Sequence, residues 1–166
     1  MEKQAINEVK RTITLKNCFV KAFLFSDGSS SRRFSDAKKH LKNNEEVRIV
    51  VHAKRMGCWI SSRIEKYNFG LGQKFVETKR HIYLINGIEP IQRIKEAIFY
   101  VEGVSGGMST KNTLDLAKVL QFLQLGAKVN AQVFEKNGSV HTTEALIEYN
   151  PAKRYFVTES RSIYHW

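Results

Sequence analysis

The same ordered set of motifs occurs twice in this sequence, and the repeat limits the possible folds more than any other feature. Five stretches of the first half match five of the second half in the same order, at an offset that drifts only from 75 to 82 residues. The longest match aligns KFVETKRHIY (74–83) with YFVTESRSIY (155–164), which share five identities. Constant order and spacing indicate a repeated structural unit, so the chain is predicted to contain two related copies.

The other four matches are shorter, and their offsets also lie between 75 and 82 residues. They are KAFLFSDG (21–28) with EAIFYVEG (96–103), FSDAKKHL (34–41) with TLDLAKVL (113–120), AKRMG (53–57) with VFEKNG (133–138), and IEKYN (64–68) with LIEYN (146–150). The matches require a few short loop insertions and no change of order. They predict an internal duplication.

Each copy is predicted to follow the order β-α-β-β-β. The first apolar run, 19–25 or 94–101, is rich in aromatic residues and favours a strand, although Pro90 could also begin a helix in the second copy. A helix then follows, with buried faces predicted at Phe34, Ala37 and Leu41 in the first copy and at Leu116, Leu120 and Leu123 in the second. Three strand-like runs complete each copy, and an Asn-Gly pair at 137–138 indicates a hairpin.

This organisation predicts an α+β fold with pseudo-twofold symmetry, in which antiparallel sheets carry both helices on one side. Residues 1–16 would form an N-terminal extension, 17–86 the first repeat and 87–166 the second. In topology alone, the doubled order resembles the sliding clamps of DNA replication. It also resembles the saddle-like group that includes the TATA-binding protein and phage double-wing transcription factors.

Composition indicates a folded protein of the cell interior. Hydrophobic residues make up 42% of the 166 residues, which is enough for a core, and no apolar run is as long as a membrane span. The N-terminus lacks the apolar segment of a signal peptide, so we expect an intracellular protein that is not secreted. Cys18 and Cys58 form neither a disulfide framework nor a zinc pattern, and both are predicted to be small core residues.

Positive charge is concentrated in the first half. The chain has 27 Lys and Arg against 16 Asp and Glu, a net charge of +11. Residues 1–86 hold 18 of these cations and 8 of the acids, whereas residues 87–166 hold 9 cations and 8 acids. A strongly basic half indicates a polyanionic partner, and we expect nucleic acid, with DNA favoured over RNA.

Two groups of residues are predicted to contact the nucleic acid. The first comprises cations on the first helix and in the loop before it: Arg32, Arg33, Lys38, Lys39 and Lys42. The second comprises cations of the following hairpin and strands: Lys54, Arg55, Arg63, Lys79 and Arg80. Trp59 and Tyr67 lie among the second group and could stack on bases, although aromatic side chains of this kind more often belong to a core.

Asp27-Gly28 and Glu102-Gly103 occupy equivalent positions in the two copies. The pattern resembles the LAGLIDADG homing endonucleases, in which two paired helices each end in an acidic residue followed by glycine. That resemblance implies that Asp27 and Glu102 would be catalytic residues that bind Mg²⁺ at a DNA-cutting centre. The family's earlier Asp is replaced by Phe25 and Tyr100 here, and the alternative is a turn at a strand end, where glycine adopts a positive φ.

The function that these observations favour is non-enzymatic, sequence-independent binding of DNA through phosphate contacts. The protein would act as an accessory factor in transcription or replication, without a cofactor, and the near-neutral second repeat would dock a protein partner. One alternative is the metal-dependent endonuclease, the only case that requires Mg²⁺. The other is a protein-interaction or inhibitor module that binds an acidic partner.

Overall fold

The structure is a computed structural model that describes residues 13–53 and 58–166. Within these residues the chain is mixed α+β, with two helices and fourteen strands, and this confirms the predicted fold class at that level. The chain divides after Glu89 into two compact units, each with its own sheet and its own core. Neither of the helices described is long and apolar enough to cross a membrane.

The first unit is built on a sheet with the strand order β4-β3-β1-β7-β6-β5, and β2 pairs with β1. All neighbours are antiparallel except β1 and β7, which run parallel. Its elements are β1 (Ile13–Phe25), β2 (Ser30–Ser31), α1 (Phe34–Lys42), β3 (Val47–Ala53), β4 (Cys58–Arg63), β5 (Lys66–Asn68), β6 (Lys74–Glu77) and β7 (His81–Ile88).

Strand β1 begins at Ile13, six residues before the predicted start at Phe19. Its first residues are mostly exposed, so they lack the buried face by which a strand is recognised in a sequence. They belong to the strand because they pair in parallel with β7, where Ile13 lies opposite His81. The predicted purely antiparallel sheet is therefore wrong for this unit.

The first core lies between helix α1 and one face of the sheet. Phe23 is fully buried and meets the rings of Phe34 and Phe69 edge-on, at centroid distances of 5.7 and 5.8 Å. Ala37 is buried, and Phe34 and Leu41 pack against the same cluster, as predicted for the first helix. On β3, alternate residues enter this core, namely Val47, Ile49, Val51 and Ala53.

The second unit has the strand order β10-β9-β11-β12-β13-β14-β8, in which β14 and β8 are the parallel pair. Its elements are β8 (Gln92–Arg93), β9 (Glu96–Val101), β10 (Met108–Ser109), α2 (Thr113–Gln124), β11 (Val129–Phe134), β12 (Val140–Asn150), β13 (Tyr155–Thr158) and β14 (Ile163–His165). The segment after Pro90 forms strands, so the alternative of a helix there is wrong.

Helix α2 is capped by Asn112. The side-chain oxygen of Asn112 accepts hydrogen bonds from the backbone N–H groups of Leu114 and Asp115. Leu116 and Val119 are buried, and Leu120 and Leu123 pack against the same core. The helix ends just before Gly126, whose φ of +79° is left-handed and favours glycine.

Candidate nucleic-acid interface

Helix α1 presents a row of cations to solvent. Phe34, Ala37 and Leu41 hold the opposite side of the helix against the core, so Lys38, Lys39 and Lys42 are exposed. Within the described part of the chain, none of these three lysines forms an ion pair with a carboxylate. Their charge is therefore available to an external anion.

The rest of the last helical turn is occupied by a local network. The ring of His40 stacks on that of Phe25, with 3.8 Å between centroids and 12° between planes. Its Nδ1 lies 2.6 Å from Oε2 of Glu45. His40 and Glu45 thus pair with each other and leave the neighbouring lysines unneutralised. Cations in this turn also interact favourably with the carbonyl end of the helix.

Arg32 does not belong to this exposed face, contrary to the prediction. Its guanidinium is half-buried and donates hydrogen bonds to the carbonyl oxygen of Lys21, at 3.2 Å, and to that of Glu89. Burial lowers the pKa of Arg32 and the nearby charge of Glu89 opposes that shift. The prediction failed because the helix begins only at Phe34, so helical spacing does not apply to Arg32. Arg33, at the cap position, is exposed.

A charged cluster that the sequence did not reveal lies beside Arg32. Lys21 is only 6% exposed, and its Nζ lies 3.2 Å from Oε2 of Glu89. The other carboxylate oxygen of Glu89 lies 2.7 Å from Nδ1 of His52. A single lysine inside the apolar run FVKAFLF was the available signal, because a buried lysine requires a partner. This cluster is internally compensated and is assigned to stability.

Strands β3 and β4 carry a second cationic site on the face of the sheet that points away from the core. Arg63 lies directly opposite Arg48, and Trp59 lies directly opposite His52. Val47 and Ile49 flank Arg48 in the sequence and enter the core, which places Arg48 on the other face. Arg63 and Trp59 were among the predicted contacts and Arg48 was not, although its place between the apolar residues Val47 and Ile49 was the available signal.

The remaining predicted residues lie elsewhere. Tyr67 is partly buried and packs against the core, with its ring 4.8 Å from that of Phe69, which favours the alternative of a core role. Lys79 and Arg80 are exposed in the tight turn between β6 and β7. Lys54 and Arg55 lie outside the described residues. The predicted cations thus fall at separate places, because α1 covers the core face of the sheet while Arg48 and Arg63 project from its other face.

Asp27 has the geometry of a turn residue. Its Oδ1 accepts a hydrogen bond from the backbone N–H of Ser29 at 2.8 Å and another from the Ser29 hydroxyl. These hydrogen bonds lower the pKa of the exposed Asp27 carboxyl. Gly28 follows with a φ of +88°. The carboxylate is thus occupied in closing the turn after β1.

Glu102 follows strand β9 in a comparable turn, and Gly103 has a φ of +84°. Both acids therefore follow strands, whereas in the LAGLIDADG enzymes the corresponding acids end helices. Across residues 13–53 and 58–166, no group of three or more His, Cys, Asp or Glu side chains is arranged to hold a metal ion. The local geometry favours the turn interpretation of both motifs.

The second unit contains a cleft of about 470 Å³ that the sequence analysis did not identify. Lys95, Lys111, Arg154 and Trp166 are among its lining residues. Nζ of Lys111 lies 3.6 Å from Oε2 of Glu96, and the ammonium group of Lys95 lies beside Gly138. Of the three cations named here, Lys111 alone is paired with a carboxylate among the described residues, so the cleft has fewer uncompensated cations than the three lysines of α1.

Comparison of the chain with known protein families, curated proteins and solved structures found no match. Evidence on function therefore comes from the residues and geometry of the two units. Among them, the uncompensated cations of the first unit are the feature with the clearest chemical consequence.

Proposed function

We propose that this chain is a non-enzymatic nucleic-acid-binding protein whose basic first unit contacts the phosphate backbone without reading base sequence. DNA is the expected partner, and the protein would serve as an accessory factor in transcription or replication. The observation that carries the proposal is the exposed row of Lys38, Lys39 and Lys42 on α1. Among the residues described, no carboxylate forms an ion pair with any of these three lysines.

The second unit supports this proposal by contrast. Helix α2 is longer than α1, yet Lys118 is its only cation, and its other exposed positions are neutral, among them Thr113 and Gln121. A helix on the surface of such a unit therefore does not need several lysines to remain solvated. The lysines on α1 are then better explained by an external anion.

We also propose that the two units arose by duplication of one unit. In support, strands β1 and β9 each pair with a two-residue strand and with the strand that follows the helix. In both units the last strand pairs in parallel with a strand at the start of the unit. On this proposal the second unit has kept the scaffold without the charge and is free to dock a protein partner.

Salt dependence is the direct test of phosphate contact. Each cation that neutralises a phosphate releases counterions, which contributes about −0.9 to the slope of log K against log salt for duplex DNA. Replacing Lys38, Lys39 and Lys42 by Glu should therefore reduce the slope by about 3 if each contacts a phosphate. Binding of a fluorescent random-sequence duplex, measured by anisotropy at several salt concentrations, provides the slope.

A matched control separates a specific surface from overall charge. Lys118, Lys128 and Lys136 are exposed cations of the second unit, and replacing them by Glu changes the net charge by the same amount. We expect this control to keep most of the affinity and the slope. Equal losses in both triple variants, or no binding at low salt, would contradict the proposal.

The proposal that the protein is not a nuclease is tested separately. Supercoiled plasmid incubated with the protein and Mg²⁺ should remain intact. Nicking that is abolished by Asp27→Asn or by Glu102→Gln would instead establish the nuclease alternative.

A further inference from the structure

We infer that the outer face of β3 and β4 binds single-stranded nucleic acid by stacking a base on Trp59 and holding phosphates between Arg48 and Arg63. We call this surface the β3–β4 face, and it comprises Arg48, His52, Trp59, Ser61 and Arg63. The inference rests on the proposed function and extends it, because it names the form of nucleic acid that a second surface of the first unit recognises.

The pleat of the two strands places these side chains together. Ile60 packs against the core, so Trp59 and Ser61 on either side of it point the other way. Residues directly opposite each other in neighbouring strands share a face, which joins Trp59 to His52 and Arg63 to Arg48. Trp59 therefore lies at one end of the β3–β4 face and the two arginines at the other, with the buried Val50 between them on β3.

The two arginines form an uncompensated pair. Like charges directly opposite each other on a sheet destabilise it, yet among the residues described no carboxylate forms an ion pair with Arg48 or Arg63. One guanidinium nitrogen of Arg48 donates to the carbonyl oxygen of Ser61 at 3.2 Å. A phosphate between the arginines would relieve the repulsion, and the planar guanidinium fork suits phosphate oxygens.

Trp59 is an exposed aromatic side chain at the other end of the face. It is 43% exposed, and no ring in the described part of the chain stacks on it. His52, its neighbour across the strands, is held by Glu89, which in turn pairs with Lys21. At about 3.3 Å per residue, Trp59 and Arg63 lie about 13 Å apart along β4.

This arrangement favours unpaired bases. In a duplex the faces of the bases are covered by their neighbours, whereas a single strand can turn a base onto an exposed aromatic ring. The lysines of α1 contact phosphates and do not require unpaired bases. The two surfaces of the first unit should therefore respond differently to single strands and duplex.

Tryptophan fluorescence isolates the proposed contact. The chain has two tryptophans, and Trp166 stacks on Tyr149 at 5.8 Å, so a Trp166→Phe variant leaves Trp59 as the sole reporter. In the full-length Trp166→Phe protein, we expect oligo(dT) to quench the emission with saturation, and a duplex of the same length to quench it weakly. Oligo(rU) distinguishes DNA from RNA in the same format.

Affinity measurements supply the second readout. Because stacking on an aromatic side chain contributes about 1–3 kcal/mol per base, Trp59→Ala should weaken oligo(dT) binding by about fivefold to 150-fold and leave duplex affinity within about twofold. Trp59→Phe should retain most of the single-strand affinity. Replacing Arg48 and Arg63 by Gln should reduce the salt slope for the single strand by about 1.4, while Trp59→Ala leaves the slope unchanged.

The outcomes separate this inference from the proposed function. If Trp59→Ala binds oligo(dT) as tightly as the parent protein while the α1 lysines still control duplex binding, the β3–β4 face is not the single-strand site and the proposed function stands. If neither polymer binds at low salt, both fail. Circular dichroism of each variant verifies folding, and Trp59 is exposed enough for its removal to leave the core intact.

Discussion

At the scale of single residues, the role of a cation in the first unit depends on whether its side chain reaches solvent. Lys38 and Arg48 are exposed. In contrast, Lys21 is buried against Glu89, and Arg32 donates hydrogen bonds to two carbonyl oxygens. Exposed cations can exchange water for a phosphate. Buried ones already have partners whose loss would leave polar groups unsatisfied.

Arg32 is therefore expected to act on stability. Replacing it by Ala removes its hydrogen bonds to the carbonyl oxygens of Lys21 and Glu89, which should lower the free energy of unfolding by about 1–3 kcal/mol. Urea unfolding followed by circular dichroism measures this loss, and duplex affinity should stay within about twofold. Arg33→Ala is the control, because Arg33 is exposed and should affect DNA binding more than stability. If Arg32→Ala instead weakened DNA binding without lowering stability, Arg32 would have to be assigned to the binding surface.

Cys18 should be an unreactive thiol in the folded protein. It is fully buried, and burial raises the pKa of its thiol to about 11. At pH 8 only about one thiol in a thousand would then be ionised, and the thiolate is the reactive form. In a Cys58→Ser variant, a thiol reagent should label Cys18 slowly in buffer and rapidly in urea. Rapid labelling in buffer would contradict its burial.

At the scale of elements, the two helices begin in different ways. Asn112 caps α2 because its side-chain oxygen accepts hydrogen bonds from two backbone N–H groups. Arg33 occupies the same position before α1 and makes no such bond with its side chain, since arginine has no acceptor. The first helix thus lacks a stabilising cap at a position where it presents a cation. That difference is consistent with the division of charge between the two units.

The cap of α2 yields a prediction for the second unit. Replacing Asn112 by Ala removes the acceptor for two backbone N–H groups, so the free energy of unfolding should fall by about 1 kcal/mol. Asn112→Asp keeps an acceptor, so this substitution should lower the free energy of unfolding by much less. Urea titration of the full-length protein measures both values, and equal effects of the two substitutions would argue against the cap.

At the scale of the whole molecule, the two units have separate hydrophobic cores. Every buried residue of the first core precedes Glu89, and every one of the second follows Pro90. The first core centres on Phe23 and Tyr83, and the second on Phe99 and Phe156. Because hydrophobic burial is the dominant favourable term in folding, each unit contains the main source of its own stability.

Separate expression tests this independence. Residues 1–89 and residues 90–166, produced as individual chains, should each unfold cooperatively in urea when followed by circular dichroism. On the proposed function, only the first should bind duplex DNA in a salt-dependent way. A chain without a cooperative transition would show that its unit depends on the other, and duplex binding by the second chain would contradict the assigned division of charge.

Much of the local structure was predictable from the sequence. The α+β class, the two helices and their buried faces all follow from short-range patterns of apolar residues. The hairpin at Asn137-Gly138 joins β11 and β12 as predicted. These features depend on residues a few positions apart, and that is the range over which helix and strand periodicity acts.

Only the tertiary structure decided which residues from distant parts of the chain meet. Lys21 and Glu89 pair across 68 positions, Arg32 bonds to the carbonyl of Glu89, and the polar start of β1 becomes a strand only by pairing with β7. The same kind of pairing sets Arg63 opposite Arg48 on one face. Sequence periodicity specifies how side chains alternate within an element, whereas sheet register and packing between elements determine which charges are buried, compensated or left for a partner.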